Sequence, residues 1–203
     1  EGLSASSFAC PKGLPAYQLT AGAAAADVDL RFPGAARLQV GAQIAAGGMG
    51  SVAQARQMSL DREIAIKLAH GGAPRNTLAL LDEARKAGRL QHPNIVPIYD
   101  LGIDDRNHLV LLMKRVEGAT WAERLAARPQ SEDPAWQDWV AEQLKVLEQV
   151  CHAIGFAHSN GVVHRDLKPS NVMVGNFGEV YVLDWGIAVD VVDAHGNPTP
   201  YPV

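Results

Sequence analysis

The stretch VVHRDLKPSNVMV, residues 162–174, opens and closes on apolar residues and holds His164, Arg165, Asp166, Lys168 and Asn171 between them. Charged groups are costly away from water unless they are paired or put to use. The stretch falls between a long helical pattern and a short strand pattern, so it reads as a loop. Asp166 can accept or orient the proton of a substrate hydroxyl. Lys168 can neutralise charge on a phosphoryl group in transfer. Asn171 offers an oxygen to a hard cation, and Asp184, at the end of EVYVLDWG, offers a second. Mg²⁺ commonly takes one or two protein oxygens and completes its shell with phosphates and water.

Upstream, two features supply what such a loop would need. In REIAIKLA (62–69), Ile64, Ile66 and Leu68 lie on one strand face, with Ala65, Lys67 and Ala69 on the other. After GGAPRN, where Asn76 suits a helix cap, a helix puts Leu80, Ala84, Ala87 and Leu90 on one stripe. Glu83 falls on that stripe, while Asp82, Arg85, Lys86 and Arg89 are expected on the opposite, solvent side. Lys67 and Glu83 are thus charges on otherwise small or apolar faces, and pairing them would relieve both. The pair would also leave a fixed ammonium for phosphate oxygens. On this ground alone a structural salt bridge explains it equally well. The second feature is IAAGGMGSV (44–52), a strand-turn-strand whose glycines let backbone N–H groups approach phosphates. It is no Walker loop, since no Lys-Ser/Thr follows, and no dinucleotide fold, since no helix follows.

Composition narrows the field. The chain has 203 residues, 47% apolar and 20% charged, enough for one large or two-lobed domain with a packed core. A net charge of −4 argues against a nucleic-acid binder working by bulk electrostatics. Cys10 and Cys151 have no metal-ligand spacing, which speaks for a reducing compartment. No run of 18 apolar residues exists, so no membrane-spanning helix is expected within the chain. Residue 1 is Glu and no signal peptide follows, so a piece of a longer protein is expected. Residues 1–36, with AGAAAAD, read as a linker or loose extension. Further strands are expected in NIVPIYDLG and NHLVLLM, joined at Asp104-Asp105, then a short helix from about Ala119. A long helix follows over about 136–158, with Val140, Leu144, Leu147, Cys151 and Ile154 on one apolar face, which is expected to stay partly uncovered where the rest of a helical large lobe is missing. Strands first and helices later suggest α+β in two lobes.

Taken in order, AAGGMGSV, IAIK, Glu83, HPNIV, HRDLKPSN and DWG resemble the signature set of eukaryotic-type protein kinases, above all the bacterial serine/threonine branch. The resemblance covers residues 44–186. It implies a protein-kinase-like fold, a β-rich small lobe over 37–113 and a truncated, helical large lobe over 114–203. It implies an enzyme that uses ATP and Mg²⁺ to phosphorylate protein Ser/Thr hydroxyls, working in the cytoplasm. Residue by residue, Ile44, Ala45, Gly47, Gly48, Met49 and Gly50 would cover the nucleotide. Lys67 would hold the α- and β-phosphates with Glu83 positioning it. Val52, Ala65 and Met173 would pack on the adenine, and the backbone after Met113, at Lys114 and Val116, would pair with its edge. Asp166 would be the catalytic base, Lys168 would meet the γ-phosphate, and Asn171 and Asp184 would hold Mg²⁺.

Three departures stand out. Ala45 occupies the place of a loop glycine, and Trp185 replaces the Phe of Asp-Phe-Gly. After Gly186 no Ala-Pro-Glu motif or further helices follow, so this fragment alone is expected to be inactive towards proteins. The rival readings are a nucleotide-binding pseudokinase scaffold and a small-molecule kinase; the intact residue set disfavours the first and the KPSN form the second. His92 is expected in a structural turn, His164 as a brace of the loop, Cys151 as a buried thiol, and Thr199 and Tyr201 as conceivable phosphosites.

Overall fold

The structure is a computed structural model that describes residues 13–21, 36–46, 50–69 and 74–191. Cys10, Gly47, Gly48, Met49, Thr199 and Tyr201 therefore lie outside the described residues. The fold is α+β, with two compact units: residues 1–81 with 99–113, and residues 82–98 with 114–203.

The first unit is built on a six-stranded sheet. Its strands are β1 (Tyr17–Ala21), β2 (Ala36–Ala46), β3 (Gly50–Gln57), β4 (Arg62–Ala69), β5 (Ile98–Ile103) and β6 (Leu109–Lys114), in the spatial order β1-β2-β3-β4-β6-β5. β2, β3 and β4 run antiparallel, with Val52 opposite Lys67 and Gln54 opposite Ala65. Alternation puts Ile64 and Ile66 of β4 into a core with Leu38, Ala53, Ala55, Val110 and Leu112, closed by Tyr17. The β5–β6 turn is pinned by Asp104, whose Oδ1 accepts the N–H groups of Arg106 (2.9 Å) and His108 (2.7 Å).

One strand corrects the sequence reading. Residues 17–21, inside the stretch expected to be a loose extension over 1–36, form β1 and pair parallel with β2, Tyr17 opposite Ala36 through Ala21 opposite Val40. Ala- and Gly-rich neighbours hide the strand signal of YQLTA, which comes from the buried Tyr17.

Helix α1 (Pro74–Arg89) starts two residues before the expected cap, because proline suits the first helical turn, where its missing N–H goes unneeded. Asn76 is therefore helical. Leu80, Glu83, Ala84 and Ala87 are buried as expected, and so is Leu90 just past the helix. Lys86 is not on the solvent side: it is only 6% exposed.

The second unit holds β7 (Gly118–Thr120), α2 (Trp121–Ala126), α3 (Trp136–Ser159), β8 (Val162–Val163), a 3-10 turn (Pro169–Asn171), β9 (Val172–Gly175), β10 (Val180–Val182) and β11 (Val189–Asp190). α2 begins at Trp121 because Thr120 and Glu123 form a capping box, which satisfies the first free N–H groups of the helix. The core gathers Val146, Val150, Ala153 and Ala157 of α3 with Val162, Val172, Val174, Val180, Val182 and Trp185. Of the apolar face read for α3, Ile154 packs against this core and the rest is partly uncovered, as expected. Leu144 is 59% and Leu147 43% exposed, and Cys151 is an exposed free thiol rather than a buried one.

Candidate functional site

The loop after β8 is organised around His164 and Asp166. His164 is 2% exposed, and its Nδ1 accepts the N–H of Asp166 at 3.2 Å. With Nδ1 accepting, Nε2 carries the proton and donates it to the carbonyl of Leu183 at 2.9 Å. The ring is thus a neutral brace tying the loop to the residue before Asp184, as expected from sequence. The N–H of Leu183 in turn donates to the carbonyl of Asn171 at 2.8 Å. Two cross-links therefore fix the loop to the chain that carries Asp184.

Asp166, Lys168 and Asn171 are brought together. Lys168 Nζ donates to Asp166 Oδ2 at 2.7 Å. Asn171 Nδ2 donates to the carbonyl of Asp166 at 2.8 Å and to its Oδ2 at 3.0 Å. The hydrogen bond from Lys168 holds the Asp166 carboxyl below the usual carboxylate value; burial opposes it, and the bond from Asn171 adds to the lowering. Asp166 stays ionised down to pH values below 3.8, so its proton-accepting form is present throughout the neutral range. Because the Asn171 amide nitrogen is committed to Asp166, its oxygen is the atom it can present to a cation. The 3-10 turn opening at Pro169 sets that direction, with the N–H of Asn171 bonded to Lys168 O at 2.9 Å.

Backbone geometry marks the same place. Four non-glycine residues among those described have positive φ: Asp61, Asn107, Arg165 (68°) and Asp184 (58°). Asp61 and Asn107 lie in strand-to-strand turns, where Asp and Asn adopt this region readily. Arg165 has no such local relief, and a left-handed residue of this kind costs roughly 1–2 kcal/mol. Strain of this sort persists where surrounding structure enforces it, often at functional sites. Next to Asp184, Trp185 is 1% exposed, and its ring lies 4.6 Å from that of His164, tilted by 57°. Its Nε1 is buried with no hydrogen-bond partner.

The remaining expected residues fall as follows. In the first unit, Ile44 and Ala45 are exposed near the end of β2, with Ala45 opposite Val52. Gly50 has a packing reason for its identity, since a Cβ there would lie 2.4 Å from the carbonyl oxygen of Leu68. Ala65 is buried, Val52 and Lys67 are half-buried, and Met113 is half-buried at the end of β6. In the second unit, Glu83 is buried on α1, and Met173 stands on β9 opposite Tyr181 and Thr120. The N–H of Lys114 donates to Pro97 O at 3.0 Å. Val116 is half-buried just after it.

Sequence reasoning missed two lysine anchorages here. Lys114 Nζ donates to Tyr181 Oη at 2.7 Å and lies 4.7 Å from the ring centroid, tying the residue after Met113 to β10. Lys86 Nζ donates to the carbonyl of Ala188 at 2.7 Å and also pairs with Asp82, while Arg89 pairs with Asp190. β11 then pairs with β8, and Val191 N–H donates to Gly161 O at 2.6 Å. The last turn of α1 and the strand before His164 therefore grip the same segment, residues 188–191. No sequence signal reveals a partner 102 residues away.

Among the described residues no cluster of three or more His, Cys, Asp or Glu stands ready to hold a metal. An ion ligated by Asn171 and Asp184 would draw its other ligands from a substrate and water, which fits Mg²⁺ with phosphates. No described helix is long and apolar enough to cross a membrane.

The family described as the protein kinase domain matches residues 38–200. The serine/threonine-protein kinase PrkC of Bacillus subtilis is 38% identical over 155 residues, 75% of this chain and 23% of that protein. The probable serine/threonine-protein kinase CE0033 of Corynebacterium efficiens is 33% identical over 165 residues, 78% of this chain and 24% of its own. PknD of Protochlamydia amoebophila is 36% identical over 158 residues, 74% and 16% respectively. The chain thus spans a quarter or less of the curated relatives it matches.

Proposed function

Because the chain belongs to the protein kinase domain family, we propose that its protein transfers the γ-phosphate of ATP to serine and threonine hydroxyls of other proteins. The observation that carries this reading is the arrangement of Asp166: ionised, accepting from Lys168 and Asn171, and cross-linked to the chain that bears Asp184. The HRDLKPSN form and the serine/threonine kinases among its relatives support hydroxyls of that class.

In this reading Asp166 orients the acceptor hydroxyl and takes its proton as the phosphoryl group leaves ATP. Lys168 exchanges its contact with Asp166 for the γ-phosphate. Asn171 Oδ1 and the Asp184 carboxylate would hold Mg²⁺, which would supply positive charge to offset that of the phosphates. Lys67 holds the α- and β-phosphates with Glu83 positioning it, residues 44–50 cover the nucleotide, and Val52 and Ala65 pack on the adenine, as the resemblance assigns. The backbone of Lys114 and Val116 meets the adenine edge, and Met173 packs beneath the ring. Catalysis of this kind depends on positioning and charge stabilisation rather than covalent chemistry.

The test is a paired mutation with two readouts, calorimetric ATP binding with and without Mg²⁺ and radiolabelled phosphate transfer to serine and threonine peptides. Asp184→Asn is expected to remove the Mg²⁺ dependence of ATP binding. Asp166→Asn is expected to leave binding intact and to slow transfer by about 100- to 10,000-fold. Equal loss of ATP affinity in both variants would contradict the role assignment. Both measurements use the full-length protein, since this chain alone is expected to be inactive; Mg²⁺-dependent binding without transfer by the unsubstituted full-length protein would favour a scaffold over an enzyme.

A further inference from the structure

β1 lies ahead of residues 38–200, which carry the family match, and its attachment to the sheet is unusually specific. Without it, β2 and β5 would be the two end strands of the sheet. One short segment reaches both. Residues 17–21 pair in parallel with β2, while Ala16 bridges Ile103 of β5, and Ile103 N–H donates to Pro15 O at 2.9 Å. The Tyr17 hydroxyl donates to Asp100 Oδ2, and Asp100 is itself steadied by Leu101 N–H on its Oδ1 at 2.8 Å. Burial, then the bond to Asp100 and its charge, push the Tyr17 phenol well above its ordinary pKa, so it remains a donor at every physiological pH. Gly102 completes the seat: a Cβ there would lie 2.1 Å from the Tyr17 ring and 2.5 Å from Pro15 O.

Main-chain pairing with a side-chain lock is how a sheet edge recognises an added strand. We propose that the ends of this sheet, β2 with Asp100, Gly102 and Ile103 of β5, form a strand-addition seat for an extended Pro-x-Tyr segment, filled here by the chain's own residues 14–21. Open strand edges invite pairing with other chains, and one strand across both ends removes that hazard. Parallel strands need a connection of about a dozen residues or more, and residues 22–35 supply it. A tether of that length holds the segment near its seat at an effective concentration on the order of millimolar. The seat is thus a binding site for a peptide of defined chemistry, and the same sequence offered in trans competes for it.

The test uses the whole chain and reads amide hydrogen exchange at Ile103, whose N–H is bonded only while Pro15 is seated. Tyr17→Ala loosens the segment and keeps the seat; Gly102→Val keeps the segment and blocks the seat. Exchange at Ile103 is expected to rise at least tenfold in both. A synthetic peptide of residues 13–21 at millimolar concentration is expected to restore protection in Tyr17→Ala and not in Gly102→Val. The same peptide with alanine for its tyrosine should restore neither. Should Tyr17→Ala not fold, Tyr17→Phe keeps the ring, loses the hydroxyl and carries the same comparison. Unchanged exchange at Ile103 in both variants overturns the proposal. So does a peptide that fails to protect the Tyr17 variant, or one that protects equally well without its tyrosine.

Discussion

Helix α1 buries a carboxylate and an ammonium, Glu83 and Lys86, whereas helix α3 leaves two leucines and a thiol, Leu144, Leu147 and Cys151, in contact with water. In α1 the charge goes inside because it has a partner: Lys86 lays its aliphatic stem along the helix and delivers its ammonium to the Ala188 carbonyl. In α3 the stripe that goes inside is made of smaller residues, Val146, Val150, Ala153 and Ala157. These let the helix lie close to Val162, Val172 and Val182, and the bulkier stripe is left outward. In these two helices, burial follows available partners and fit as much as side-chain hydropathy.

The sharpest attempt to break this contrast is Val150→Asp, a carboxylate with no partner among apolar neighbours. It should cost more than about 3 kcal/mol and leave little folded protein, as read by chemical denaturation. Next is Lys86→Ala, which strips the Ala188 carbonyl of its buried donor. A loss of roughly 1–3 kcal/mol is expected, with faster proteolysis near residues 188–191. Lys86→Met keeps the stem and should recover part of the loss; if Met and Ala cost the same, the stem contributes nothing. On the other side of the comparison, Leu144→Lys and Leu147→Glu should each change stability by no more than about 0.5 kcal/mol. Cys151 should react with a thiol reagent in the native state as fast as in the unfolded one. A large cost or a protected thiol would mean that this face of α3 is covered in solution.

The smallest effect concerns His92, which follows α1 and stacks on Phe156 of α3 at 5.2 Å between ring centroids. Burial, and to a lesser degree the charge of His152, lower its pKa below the ordinary 6.5. The unfolded chain then binds this proton more readily than the folded one. Stability is full above about pH 6.5 and falls as pH drops through the interval between the two values. A small loss of melting temperature on acidification, absent in His92→Gln, would confirm the sign. A rise would reverse it.

The same contrast explains how far the sequence could be read. β4 was legible because alternation gathers its large apolar residues, Ile64, Ile66 and Leu68, on one face, and α1 because Leu80, Ala84 and Ala87 leave a single apolar stripe. α3 carries two, and period alone cannot choose between them; only the facing valines do. The loop of Asp166, Lys168 and Asn171 was legible from residue type and spacing, since its bonds span five residues or fewer. Lys86 with Ala188, Lys114 with Tyr181 and Tyr17 with Asp100 were not, because each joins residues that only folding brings together.

Trp185 gives the molecule a built-in optical reporter. An indole excluded from water and without a hydrogen-bond acceptor emits at the blue end of its range. Trp121, which donates to Gln143, and the partly exposed Trp136 and Trp139 should emit further to the red. Subtracting the spectrum of Trp185→Phe would isolate one chromophore beside Asp184, so that movement of the Asp184-Trp185-Gly186 turn could be followed as a colour change without any added label.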